Sequence, residues 1–377
     1  MTTIPVTGDT DWALSKNQNP ADLRVNRMDV EAETRIYRAL RHFWHPVIYS
    51  DELGDEPRQV WLCDEQLVAV RLDGEAAVFN DMCAHRGTAL SLGKVVVSEC
   101  GETLQCPYHG WRYAPDGRCV LAPQRPDLAG KLRARIKRHN VVERYGMVWV
   151  CLADEPHFPL PEFPQFEDPS YDCVAVPSTD WDHTFAVRRT ENYIDPAHLA
   201  FVHDGYLGDS SNPAIPRHEV YPTARNILHM RLSEPAREPA SAAKNKSIDN
   251  ESEYMEVMKT WECFMPLTVL LRSFNTAGET FCLFFHPTPT SPTTIRNFTI
   301  GARNFGSAST IFEEIAGWNK FVYEQDEPIV SSQRPAQLPE DLSMEMFLAE
   351  VDIFSLHYRK WLMELADELV PAEADAG

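Results

Sequence analysis

Between about residues 45 and 155, apolar and polar positions alternate in short runs broken by turn residues. QVWLCD (59–64), QLVAVRLDG (66–74), EAAVFND (75–81) and GMVWVCL (146–152) each read as a strand. Together they predict a small all-β domain. Upstream, DVEAETRIYRALRHF (29–43) places Ile36, Leu40 and Phe43 on one stripe at helical spacing. Downstream, the proline-rich PHFPLPEFPQFEDP (156–169) marks a boundary. The second half mixes longer strands, YMEVMKTWECFM (254–265), ETFCLFFHPTP (279–289) and IRNFTIGAR (295–303), with helices near 190–202, 307–325 and 343–368. That pattern is α+β, with helices segregated from an antiparallel sheet. PAREPASAAKNKSIDNES (235–252) is polar and reads as a loop. The expected division is an arm and helix (1–44), a small β domain (45–156) and a larger α+β domain (157–377).

A chain of 377 residues with 44% hydrophobic positions is long enough for two domains and a sizeable core. No stretch reaches the roughly 20 apolar residues that would cross a membrane. The opening MTTIPVTGDTDWALSKNQNPADLRV has no basic segment followed by an apolar run, so a cytoplasmic location is expected. The nine cysteines follow no even framework and read as thiols or metal ligands. A net charge of −21 disfavours nucleic acid as a partner. Positive charge nevertheless gathers from Arg112 to Arg144, with nine Lys/Arg against three Asp/Glu. In KLRARIK, the residues Lys131, Arg133, Arg135 and Lys137 recur at period two. The strip is either a solvated strand edge or a dock for an acidic partner.

Two groups of residues carry chemistry. Cys83-Ala84-His85-Arg86-Gly87 is followed by Cys106-Pro107-Tyr108-His109-Gly110-Trp111. Two thiolates and two imidazoles can hold zinc or a Rieske [2Fe–2S] cluster, in which two His replace two Cys on one iron. Each pair here supplies one Cys and one His, which suits one iron taking both sulfurs and the other both nitrogens. Gly87 and Gly110 permit tight turns close to a cluster. Twenty residues separate His85 from Cys106, so a lengthened hairpin is expected around Val96–Gly101, with Cys100 a bystander. The second group is Glu191-Asn192-Tyr193-Ile194-Asp195-Pro196-Ala197-His198-Leu199-Ala200-Phe201-Val202-His203. Residues five apart point about 140° from each other on a regular helix, so His198 and His203 share a metal only if the helix breaks, as Pro196 allows. Two His and one carboxylate form the facial triad of oxygen-activating Fe(II) sites. Ile311, Ile315, Trp318 and Val322 make an apolar stripe that Asp326 continues. A carboxylate on a buried stripe needs a partner or a metal, which selects Asp326 as the third ligand.

These motifs identify a resemblance. C-x-H-R-G, C-P-Y-H-G-W, the ERYGMVWVCL strand and N-x-x-D-x-x-H-x-x-x-x-H all match the α subunits of Rieske non-haem iron oxygenases, over nearly the whole chain. DEPIVSSQRPAQLP resembles the α-only, homotrimeric subgroup, which includes the dicamba, vanillate and toluenesulfonate monooxygenases. HDGYLGD (203–209) and HYRKWL (357–362) look closest to the saxitoxin-pathway hydroxylases of that subgroup. The resemblance implies a Rieske domain with a [2Fe–2S] cluster on Cys83, His85, Cys106 and His109, and a helix-grip catalytic domain with mononuclear Fe(II) on His198, His203 and Asp326. It also implies a trimer in which Asp195 bridges His109 of the partner subunit to His198, with Asn192 supporting the site. No nucleotide-binding fingerprint is present, so NAD(P)H would serve only through a separate ferredoxin or flavin reductase. The implied activity is O2-dependent monooxygenation, by hydroxylation or demethylation, of a small organic molecule. A cis-dihydroxylating enzyme, a Rieske electron carrier without chemistry of its own, and a zinc-containing binding protein are the alternatives. Trp261, Phe264, Met265, Phe274, Asn275, Phe285 and His286 either line a substrate pocket or belong to the core.

Overall fold

The computed structural model describes residues 34–98, 101–239 and 254–370. Its first part contains α1 (Arg35–Ala39), β1 (His45–Tyr49), β2 (Arg58–Leu62), β3 (Glu65–Leu72), β4 (Glu75–Asn80), β5 (Lys94–Ser98), β6 (Gly101–Gln105), β7 (Arg112–Tyr113), β8 (Cys119–Leu121), β9 (Asn140–Arg144) and β10 (Met147–Cys151). They form three small antiparallel sheets, β1-β10-β9, β2-β3-β4 and β5-β6-β7-β8. The strands predicted by alternation are all present. The extra residues between His85 and Cys106 do form the β5–β6 hairpin, with Lys94 opposite Gln105 and Ser98 opposite Gly101. Cys100 lies outside the described residues. Lys131, Arg133, Arg135 and Lys137 are exposed and alternate with Leu132, Ala134 and Ile136, which face inward. The segment is extended but forms only isolated bridges, so it is a strap over the sheet, not a strand edge.

The second part holds α2 (Pro164–Glu167), β11 (Asp172–Asp182), α3 (Ala186–Tyr193), α4 (Leu199–Val202), β12 (His218–Ala224), β13 (Ile227–Leu232), β14 (Ala236–Pro239), β15 (Tyr254–Phe264), β16 (Thr268–Phe274), β17 (Thr280–Ser291), β18 (Thr294–Arg303), α5 (Ile311–Val330) and α6 (Ile353–Leu369). The large antiparallel sheet runs β11-β18-β17-β16-β15-β13-β12, with β14 attached to β15. The fold is α+β, as the patterning indicates.

Three expectations are met only in part among the described residues. The helix read over 29–43 is described only from Thr34, which caps α1, and tightens into a 3-10 turn at Leu40–His42. Its stripe of Ile36, Leu40 and Phe43 is buried as expected. Of the loop read over 235–252, residues 236–239 pair with β15, and 240–253 lie outside the described residues. The helix read over 343–368 begins only at Ile353. The residues before it are instead held by Glu345, which receives hydrogen bonds from Arg188.

The two parts share one core. Val60 and Leu62 of β2 belong to the same apolar cluster as Trp261, Leu283 and Ile295 of the large sheet. Backbone bonds cross as well: Cys63 N–H donates to Pro289 O and Asp64 N–H to Thr290 O. Buried His45 of β1 and His286 of β17 meet at 3.1 Å, Nδ1 to Nε2. The chain of bonds ends on Leu40 O at one side and Thr268 Oγ1 at the other, so no ring nitrogen is left bare. Helix α5 packs close because β18 carries Gly301. A Cβ there would lie 2.6 Å from Ile315 Cγ2.

Candidate iron-sulfur and mononuclear metal sites

The Cys/His loops are built alike. Cys83 N–H donates to Thr88 O (2.8 Å), and its carbonyl accepts from Gly87 N–H (2.9 Å). Cys106 N–H donates to Trp111 O (2.8 Å), and its carbonyl accepts from Gly110 N–H (3.1 Å). Gly87 and Gly110 both have φ of 71°, in the region that favours glycine. The loops bring Cys83, His85, Cys106 and His109 together at one end of the β domain. Both cysteines are buried, and the imidazoles of His85 and His109 are half-buried with ring centres 4.7 Å apart. His85 stacks on Trp111 at 4.6 Å. Its Nδ1 is buried with no hydrogen-bond partner among the described residues. Tyr113 Oη, 3.1 Å from Cys83 Sγ, also accepts the Ala84 N–H. Two buried cysteines and two adjoining imidazoles, one with an orphaned nitrogen, fit a [2Fe–2S] cluster in which one iron takes the sulfurs and the other the imidazoles.

The second group lies against the large sheet. Helix α3 ends at Tyr193, and the chain breaks through Pro196 before the single turn of α4. His198 is the residue before that turn and His203 the residue after it. The break lets both imidazoles face one point, which an unbroken 190–202 helix would forbid. Ligand atoms of His198, His203 and Asp326 all lie within 4.8 Å of one another. Asp326 Oδ1 is 3.0 Å from His203 Nε2 and 3.8 Å from His198 Nε2. It nevertheless has no aligned hydrogen bond. The three groups converge on one shared space, which fits a metal ion. His203 Nδ1 lies 2.8 Å from Gln325 Oε1, so it donates there and leaves Nε2 free to bind a metal. His198 Nδ1 is 3.4 Å from Asp195 Oδ2, while Asp195 Oδ1 accepts the Ala197 N–H.

Asp326 is only 3% exposed. Burial alone would raise its pKa, but the positive charge of Arg189, helped by His203 and His198, holds the carboxyl well below the usual carboxylate range. Arg189 was not singled out by sequence reasoning. The available signal was its place three residues before Asn192 on the same helix face. Gln325 was missed for lack of any such signal. Asn192 accepts a hydrogen bond from Arg189 and lines the cavity. The outer side of α3 is fixed by a buried ring of ion pairs, in which Arg359 holds Glu191 and both Arg188 and Arg359 hold Glu345.

A cavity of about 90 Å3 opens beside the triad. Tyr193, Phe281, Leu283, Phe285 and Trp318 supply apolar wall, and Lys259, Ser273 and Asn319 supply polar corners. Of the residues read as either pocket or core, Trp261 and Phe285 line this cavity. Phe264 and Met265 are core, and His286 is spent on His45. Asn275 binds Glu279 beside a turn.

Comparison with known proteins assigns the arrangement. Residues 43–137 match the Rieske [2Fe-2S] domain, and residues 184–368 match the vanillate O-demethylase oxygenase C-terminal domain. The methylxanthine N1-demethylase NdmA of Pseudomonas putida is 34% identical over 338 residues, covering 87% of this chain and 90% of that one. The solved structure of NdmB from Pseudomonas putida CBB5 superposes with a TM-score of 0.75 at 31% identity, covering 87% of this chain and 91% of that one. Dicamba monooxygenase bound to 3,6-dichlorosalicylic acid shares the fold, with a TM-score of 0.67 at 20% identity over 87% of this chain and 98% of that one. No helix among the described residues is long and apolar enough to cross a membrane. With both metal-binding motifs and both domain matches in one chain, the protein belongs to the Rieske non-haem iron oxygenases, as an α subunit that uses a [2Fe–2S] cluster, mononuclear iron, O2 and electrons from a separate reductase to oxygenate small organic molecules.

Proposed function

We propose that this chain is the terminal oxygenase of a demethylase, acting on a methyl group carried by a small, planar, largely aromatic substrate. The observation that carries this reading is the aromatic cavity, with Tyr193 stacked on Phe285 at 4.2 Å, opening onto His198, His203 and Asp326. The relatives named as methylxanthine N-demethylases support it. Removal of an N-methyl group balances when dioxygen, a pair of electrons and a pair of protons convert the N-methyl amine into the N–H amine, formaldehyde and water, one molecule of each. The cluster, held by Cys83, His85, Cys106 and His109, and the iron, held by His198, His203 and Asp326, supply electron delivery and oxygen activation when bound. The protein's own work is to orient and exclude. Gln325 fixes the tautomer of His203, the Asp195 carboxylate lies 3.4 Å from His198 Nδ1 without an aligned hydrogen bond, and Asn192 accepts from Arg189. The apolar walls keep bulk water from the reacting centre.

The unit of function in this reading is a homotrimer in the cytoplasm, divided along each chain at 44/45 and 156/157. Tyr108 (61% exposed) and Met82 (57%) crown the cluster loops, and Met346 (63%) and Ile329 (53%) flank the groove beside Asp195 and His198. Apolar side chains of this size are costly to leave in water, and the two patches fit a cluster tip resting on the groove of the next copy. Asp195 then lies between His109 of the partner subunit and His198. The strap of Lys131, Arg133, Arg135 and Lys137 is the docking face for an acidic reductase or ferredoxin. Its inward-facing Ile136 lies in the same apolar cluster as Cys83 and Cys106, with Leu132 and Ala134 packed against it. The test is a screen of N- and O-methylated aromatic compounds with a reductase, reading formaldehyde against O2 consumed. Formaldehyde in step with O2 supports demethylation. A cis-diol, or O2 uptake with no methylated compound as substrate, overturns it.

A further inference from the structure

Arg189 is the one feature of the site that the metal-ligand reading leaves unexplained. It is 0% exposed, on the inner face of α3. Its guanidinium lies over three rings, 4.1 Å from the centre of Tyr193, 4.2 Å from Trp181 and 4.6 Å from Tyr323. Nη1 donates to Asp326 Oδ2 at 2.8 Å and to Asn192 Oδ1. Nε and Nη2 have no hydrogen-bond partner among the described residues. A buried arginine with two unused donors is expensive, and the three rings fix its plane together with the bonds to Asp326 and Asn192. The result at Asp326 is asymmetric. Oδ2 is taken by Arg189, while Oδ1 is unbonded and faces His203 Nε2 and His198 Nε2.

We propose that Arg189 is a positioning residue that fixes Asp326 as a one-oxygen ligand, so that a coordination position which a chelating carboxylate would fill stays open. The inference rests on the reading that His198, His203 and Asp326 hold the iron. A free carboxylate can bind a cation through one oxygen or both. A charge-assisted bond to one oxygen from a rigid donor weighs against the second mode, because it draws charge from Oδ2 and holds that oxygen towards a guanidinium that cannot follow it to the metal.

The experiment uses the full-length protein labelled with 13C at the aspartate carboxyl carbon, with iron loaded as Fe(II) under argon. The infrared difference between loaded and iron-depleted protein isolates the carboxylate stretches, and Asp326→Asn identifies the bands. Wild type is expected to show the wide separation of symmetric and antisymmetric stretches that marks one-oxygen binding. Arg189→Met is expected to show the narrow separation of a chelate, and Arg189→Lys to recover the wide one. A narrow separation in wild type, or a wide one kept in Arg189→Met, overturns the proposal. A merely structural Arg189 would lower the Tm of Arg189→Met and leave the separation wide, which also counts against it. If Arg189→Met does not fold, as judged by the visible circular dichroism of the cluster, Arg189→Gln takes its place; the wild-type measurement needs no variant. If instead iron loading moves no aspartate band and Asp326→Ala keeps all its iron, the reading of the iron site has failed, and the proposal falls with it.

Discussion

Replacing Asp326 by Ala removes one of the three groups proposed to hold the metal and the only carboxylate bonded to Arg189 among the described residues. The two effects are read separately. The cluster loops lie on a different sheet and do not involve Asp326, so iron per chain should fall from about three to about two, and acid-labile sulfide should stay at about two. The stability effect follows from the buried cation left behind. Arg189 is fully buried, and removing one partner of a buried ion pair costs about 3–5 kcal/mol. The rings around the guanidinium are unchanged by the substitution and do not offset this loss. At roughly 2–4 °C per kcal/mol for a large domain, the Tm should fall by roughly 6–20 °C. Calorimetry, with the cluster's visible circular dichroism as a second probe, measures it on protein from which mononuclear iron has been removed in both forms. Adding Arg189→Met to Asp326→Ala should recover part of the loss, since the stranded charge is then gone. Three irons retained in Asp326→Ala, or an unchanged Tm, would refute the reasoning.

Three further outcomes are expected. Burial pushes His45 down to about 4 and His286 well below the ordinary histidine value. Since the unfolded chain takes up these protons near pH 6.5, the stability from keeping the pair neutral is full above that pH and is lost as pH falls towards 4. The slope is up to about 1.4 kcal/mol per pH unit for each histidine. The acid limb of the Tm–pH curve should be shallower in His286→Asn, and a limb of unchanged slope would count against it. Asp195→Asn should keep all iron and sulfide but lower product formation by about 10- to 100-fold. Normal turnover at full metal content would remove Asp195 from the assigned role. Charge reversal of Arg133 and Arg135 to Glu should slow cluster reduction by the partner and flatten its dependence on salt, with metal content unchanged. Stopped-flow bleaching of the cluster absorbance reads this, and an unaltered rate would sink the strap as a dock.

Much of this protein is legible along the chain because its chemistry is local. Each cluster loop is a single tight turn, so C-x-H and C-x-x-H carry both the candidate ligands and the glycine that lets the turn close. Strand alternation is likewise local, and it located β2, β3, β4, β10, β15, β17 and β18. Asp326 could be chosen over Glu324 and Glu327 because helical periodicity alone decides which of the three faces inward. What the tertiary structure decided involves residues far apart in the chain. Arg189 meets Asp326 across 137 positions and His45 meets His286 across 241, and neither pair leaves a periodic trace. Which aromatics line the cavity and which are core is equally invisible locally. Phe264 and Phe285 look alike in sequence and both are buried, and only the packing of α3 and α5 on the sheet makes Phe285 a wall of the cavity as well. Spacing along the chain determines which groups can bind a metal. The fold determines which atoms of those groups are left free to do so, because a carboxylate's second oxygen is committed only when a distant guanidinium is packed against it.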